Sequence, residues 1–191
     1  PNPNPNPNPN PNQVSEHSGI SVGIPELSRG SPTNLASCAE EDELERVLEV
    51  ERASFEDPWP IEVFEAELRH SWSHMVVLEE KANTKLLGHV VYWVVADEVH
   101  LLNLAVHPEA RGRKLGRALV SHVVQRAREG RARFITVEVR ASNEVARGLY
   151  ERAGFKQVGV RPRYYASDGE DAVIMLCDLG SETGEITIAS S

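Results

Sequence analysis

The chain has 191 residues, 40% of them apolar, enough for one well-cored domain and short for two. Its net charge of -9 excludes a surface given over to nucleic acid, because neutralising phosphates needs a surplus of Lys and Arg. Two cysteines, Cys38 and Cys177, are too few for a disulfide framework and lack the spacing of a zinc site, which points to a reducing, cytoplasmic setting without a structural metal.

The first twelve residues, PNPNPNPNPNPN, alternate an imino acid with a turn former and can neither feed a hydrogen-bond ladder nor bury a face. With the Ser-, Gly- and Pro-rich stretch after them they are expected to form a disordered tail over residues 1–33, ahead of a domain at 34–179 and a loose end at 180–191. The chain opens on Pro1 rather than Met, which leaves room for a processed or truncated start and for an upstream signal. A short strand near Asn34 comes next. Leu44, Val47 and Leu48 then share the face of a helix whose first turn is acidic, as the helix dipole favours. Asp57, two prolines and the repeat Ile61, Phe64, Leu68 predict a second short helix, with an aromatic-rich loop between the two. His70 and His74 have the spacing of a metal pair, but HSWSH reads as a loop after that helix, no third ligand is evident, and no metal is expected.

From His74 to Pro108 three apolar runs separated by KANTK and ADE predict an antiparallel meander. The apolar stretch Val90–Val95 is far shorter than the roughly 20 residues that span a bilayer, so it reads as a strand and no membrane segment is expected. Leu115, Ala118, Leu119 and Val123 mark an amphipathic helix stopping at Gly130. FITVEVR is another strand, SNEVARGLYERAG a capped helix ending at Gly154, and two strands around SDGED close the domain. A central mixed sheet covered by helices, an α/β (α+β) architecture, follows from that order.

Three stretches carry chemistry. In EARGRKLGRALV, glycines and Arg111, Arg113, Lys114 and Arg117 surround a helix start, where unpaired backbone N–H groups and the helix dipole favour an anion. Neither the Walker nor the dinucleotide glycine pattern is matched, so a solvated basic helix start and nucleic-acid contact stand beside a diphosphate site. Glu138 sits in FITVEVR, where apolar neighbours mark a buried or half-buried strand and an isolated carboxylate needs a use or a partner such as Arg140, unless it lies on an exposed face. Tyr150 in GLYERAGF reads equally as a core aromatic.

Taken together, LLNLAVHPEARGRKLGRALV, ITVEVRASNEVARGLYERAGF and RPRYYASDGEDAVIM, with ERASFEDPWP upstream, resemble the GNAT superfamily of N-acetyltransferases, and within it the RimI type that acetylates the N-terminus of ribosomal protein S18. The resemblance runs from about Asn34 to Leu179 and covers neither tail. It implies a GNAT fold, with a mostly antiparallel sheet, one splayed parallel strand pair and flanking helices, that binds acetyl-CoA as co-substrate. It places the donor on the backbone of Leu104, Ala105 and Val106, on the loop Arg111, Gly112, Arg113, Lys114, Leu115, Gly116 and Arg117, and on Asn143, which also suits a helix N-cap. It further implies Glu138 as general base, Tyr150 as general acid, and Phe55, Trp59, Tyr164 and Tyr165 beside the acceptor, although each aromatic also suits plain packing.

The family loop reads Gln or Arg, two variable residues, Gly, one variable residue, then Gly or Ala. Arg111 and Gly116 match, while Lys114 stands at the first glycine. Glycine there serves a positive φ or a close backbone approach; Lys is expected to compromise both, or to lay its ammonium beside the diphosphate. The implied partner is a protein N-terminus, that of S18, with no direct nucleic-acid contact. A lysine or small-amine acetyltransferase and a non-catalytic CoA-binding module remain as alternatives.

Overall fold

A computed structural model describes residues 33–37, 43–83 and 85–180. The Pro/Asn repeat, Cys38 and the last eleven residues lie outside the described residues.

The elements run in the expected order. β1 (Thr33–Ser37) is followed by α1 (Leu44–Ser54) and α2 (Ile61–Arg69). The meander is β2 (Ser73–Glu80), β3 (Leu86–Val95) and β4 (Glu98–Val106), and a short 3-10 turn, Pro108–Ala110, leads into α3 (Leu115–Glu129). β5 (Phe134–Arg140), α4 (Glu144–Arg152), β6 (Lys156–Arg161) and β7 (Ala172–Asp178) complete the domain. The strands form one seven-stranded sheet in the order β1-β2-β3-β4-β5-β7-β6. Each neighbouring pair is antiparallel except β4 and β5.

Two apolar clusters sandwich the sheet. Leu115, Leu119, Val120 and Val123 of α3 pack with Val90, Val99, Leu101, Ile135 and Val137 on one face. Leu44, Val47 and Leu48 of α1 and Phe64 of α2 pack with Val77, Val91 and Ala105 on the other. The helical 3-4 spacing therefore meets the strands' twofold alternation on both sides, as a layered domain requires.

HSWSH is part loop and part strand. His70 caps α2 and His74 already lies in β2, each ring stacked on a neighbour: His70 on Trp72 at 4.5 Å and His74 on Tyr92 at 5.2 Å. The pair does not share a helix, and no cluster of three or more potential metal ligands occurs among the described residues.

The feature that positions the site is a break in β4. Its parallel pairing with β5 ends at Leu101↔Val137. On the other side, Tyr92 pairs with Leu101 but Val91 pairs with Asn103, so Leu102 is an extra residue, a β-bulge. A bulge bends and twists its strand. Beyond it β4 follows β3 while β5 stays in register with β7 as far as Arg140↔Ala172, and the parallel strands part.

Candidate active site

The parted strands open a cleft of about 1300 Å³ lined by Leu102, Asn103 and Leu104 of β4 and by Glu138, Val139 and Arg140 of β5. β5 alternates cleanly: Ile135, Val137 and Val139 are buried, while Phe134, Thr136, Glu138 and Arg140 are half-buried on the opposite face. The alternation carries Glu138 out of the α3-side core. Its carboxylate does not pair with Arg140, as the sequence suggested, but with Arg161 of β6, whose guanidinium lies 3.0 Å from Oε1. Arg140 is drawn elsewhere, to Asp168 at 2.8 Å and Glu170 at 2.9 Å, with its guanidinium 3.9 Å from the centre of the Tyr165 ring.

Tyr164 and Tyr165 occupy the loop between β6 and β7, their rings edge to face at 5.2 Å. The Tyr164 hydroxyl hydrogen-bonds to Glu138, and burial together with that bond raises its pKa well above the ordinary phenol value. Tyr165 is pushed up to about 12, mainly by burial. Glu170 ties this loop to the turn after β5 by accepting from the Ser142 backbone N–H at 2.6 Å. That bond, with the Arg140 pair, holds its carboxyl at about 2, well below the usual range.

Tyr150 reaches the cleft from α4. It is only 5% exposed and packs on Phe155 at 5.5 Å, so it is a core aromatic that also faces the cleft. Burial, with a smaller contribution from Tyr165, raises its pKa, which keeps the phenol protonated at neutral pH. Asn143 lines the same cleft and is the N-cap of α4, accepting from Ala146 N at 3.0 Å. The N-cap reading of Asn143 is thus met.

Phe55 and Trp59 close the opposite wall, between α1 and α2. A network missed by the sequence reading holds them. Glu51, 1% exposed, accepts through Oε1 from the Trp59 backbone N–H and from Asn103 Nδ2, both at 3.0 Å. Its Oε2 lies 3.2 Å from Nε2 of the fully buried His89. One signal could have found Glu51: it falls seven residues after Leu44 on the apolar stripe of α1, where a carboxylate is out of place. His89 is similarly conspicuous in the apolar run of β3.

The basic loop stands apart from this cleft. Leu104 lines it, whereas Ala105, Val106 and residues 111–117 do not. Arg111 Nε donates to the Val106 carbonyl at 3.3 Å, and Arg113 reaches Glu80 at 3.5 Å. Gly112 has φ +77 and open space around its Cα, while a Cβ on Gly116 would meet Leu149 at 3.3 Å. Lys114 itself takes the left-handed conformation, φ +62, as the residue before α3. The positive φ is kept with Lys in place, at the steric cost a Cβ brings there.

This geometry has clear relatives. The model of the acetyltransferase (GNAT) family matches residues 44–155. The chain belongs to the GNAT acetyltransferase family. It is 33% identical to the [ribosomal protein bS18]-alanine N-acetyltransferase of Escherichia coli K12 over 144 residues, 74% of this chain and 95% of that one. A Bacillus subtilis protein provisionally given the same name is 38% identical over 135 residues, covering 70% and 88% of the two chains. The crystal structure of the Escherichia coli ribosomal-protein-S18-alanine N-acetyltransferase superposes with a TM-score of 0.72 at 31% identity, covering 81% of this chain and 97% of that one.

This GNAT protein is thus an acetyltransferase, and the donor of its family is acetyl-CoA. The fold suits such a donor: β4 beyond Leu101 is no longer paired with β5 along that edge. The first N–H groups of the fifteen-residue α3 are likewise unpaired within the helix. No described helix is long and apolar enough to cross a membrane.

Proposed function

We propose that this protein moves an acetyl group from acetyl-CoA to the N-terminal α-amine of a protein, ribosomal protein S18 in a cytoplasmic setting. The observation that carries the proposal is the convergence of Glu138 from β5, Tyr150 from α4 and four aromatics from two loops on one cleft at the strand split. Relatives bearing the S18-alanine name over nearly their whole length support the acceptor.

In this reading the diphosphate lies along residues 111–117 and the start of α3, held by backbone N–H groups and the helix dipole. The thioester lies against the backbone of Leu104 to Val106, whose N–H groups polarise its carbonyl. The acceptor enters between Phe55 and Trp59 on one side and Tyr164 and Tyr165 on the other. Its nitrogen attacks the carbonyl carbon, the N–C bond forms, the C–S bond breaks, Glu138 takes the proton from nitrogen and Tyr150 gives one to sulfur. Direct transfer needs no covalent enzyme intermediate, no metal and no contact with nucleic acid. An α-amine, with a reference pKa near 7.7–8.0 against about 10.4 for Lys, reaches the neutral form more readily. The domain responsible is the segment 34–179, with residues on either side serving as tails.

The test is acetyl-CoA turnover on peptides differing in their first three residues, beginning with an Ala-initiated S18-like peptide and its α-blocked form. Glu138→Gln and Tyr150→Phe are each expected to cut turnover by about 10²-fold or more while acetyl-CoA still binds. Wild-type rates in both would overturn the roles, and acetylation of the α-blocked peptide on Lys would move the acceptor class.

A further inference from the structure

Arg140, Ala172 and Arg161 stand side by side across β5, β7 and β6, since Ala172 pairs with both arginines. The two guanidiniums have gone separate ways. Arg140 is taken by Asp168 and Glu170 of the β6–β7 loop, whereas Arg161 reaches diagonally across β7 to Glu138, which sits opposite Ile174. On the way the Arg161 guanidinium lies 5.7 Å from the centre of the Tyr164 ring, but β6 is an edge strand and the side chain remains 46% exposed. The carboxylate it engages is the one assigned above to receive the acceptor's proton.

We propose that Arg161 is an ionic latch on Glu138, a positioning residue that the acceptor ammonium displaces on entry and that re-closes once the amine has become an amide. The inference rests on Glu138 being the base. Its logic is charge exchange. A guanidinium is never deprotonated, so in the empty cleft Arg161 keeps its charge against the Glu138 carboxylate. An incoming α-ammonium carries the same charge on a smaller head and competes for the same oxygens, while Tyr164 keeps its own hydrogen bond to Glu138. Tyr165 also feels the Glu138 charge, and Arg140, two residues on along β5, is paired with Asp168 and Glu170. Acetylation converts the cation into a neutral amide, which no longer competes. The latch therefore weakens substrate binding alone and leaves the product nothing to hold.

The experiment compares an Ala-initiated peptide with its N-acetylated counterpart, each titrated calorimetrically into the CoA-saturated full chain. Breaking a half-exposed ion pair should weaken free-amine binding by about two- to fivefold. Arg161→Gln should therefore tighten the free-amine peptide by that factor and leave the acetylated peptide unchanged. Arg161→Lys, which keeps a cation at the position, should stay nearer the wild type. With Glu138→Gln in the background, Arg161→Gln should have no effect on either peptide. Equal changes for both peptides, or weaker binding of the free amine, would overturn the latch while leaving the function intact. Failure of the wild type to acetylate any free α-amine would sink the acceptor assignment and the latch with it.

Discussion

Lys114 carries a backbone conformation that its side chain resists. At φ +62 an L-residue other than glycine loses about 1–2 kcal/mol to the contact between Cβ and the following carbonyl. Glycine removes that contact but loosens the unfolded chain by about 0.4–1 kcal/mol. Lys114→Gly should therefore stabilise the fold by a net ~0.5–1 kcal/mol, seen as a higher urea midpoint at unchanged slope. Its effect on acetyl-CoA separates two roles for the ammonium. Tighter binding would mean that the side chain only obstructs; weaker and less salt-sensitive binding would mean that its charge meets the diphosphate. The loop's arginines were visible in the sequence, but the sign of φ at residue 114 was not, because Lys carries no local signature of a left-handed turn. Glu138 was legible because a carboxylate between the apolar Val137 and Val139 draws notice, although its partner, 23 residues later in Arg161, could not be read from spacing.

Among the elements, α1 and β4 depend on each other through Glu51. Its buried carboxylate satisfies Asn103, the residue just after the Leu102 bulge, and the backbone of Trp59 at the acceptor wall. Removing it leaves those two donors without their acceptor in a dry site, a loss of about 2–4 kcal/mol. Glu51→Ala should show that loss in denaturant unfolding and also raise the acceptor KM, because Trp59 is no longer held. Glu51→Gln keeps one acceptor oxygen and should lose less than half as much. The helices, the meander and the closing hairpin were all readable, since each rests on local periodicity and on turn residues. The bulge was not. Leu102 lies in a run of Leu, Leu, Asn and Leu with no Gly or Pro to mark an irregularity, and only the rival pulls of β3 and β7 decide where β4 and β5 part.

Across the whole molecule, acid stability follows from two groups with different windows. His122 on α3 is buried, and its pKa is lowered to about 4 by burial first, then by Arg126 and His74 against an opposing contribution from Glu129. The unfolded chain takes up this proton near pH 6.5 and the fold only near 4, so stability declines as pH falls between them. The full effect is about 3 kcal/mol as an upper bound. Glu170 acts lower. Its folded pKa of about 2 lies below the ordinary 4.5, so its contribution is complete above 4.5 and disappears as pH falls towards 2. His122→Leu removes the first titration and the unpartnered buried Nδ1 while keeping an apolar neighbour for Tyr92. Urea midpoints for this variant should stay nearly level from pH 7 to 5, where the wild type falls, and should drop only below 4.5 as Glu170 and the other carboxylates take up protons. A wild-type midpoint that is flat from pH 7 to 5 would remove His122 from the account.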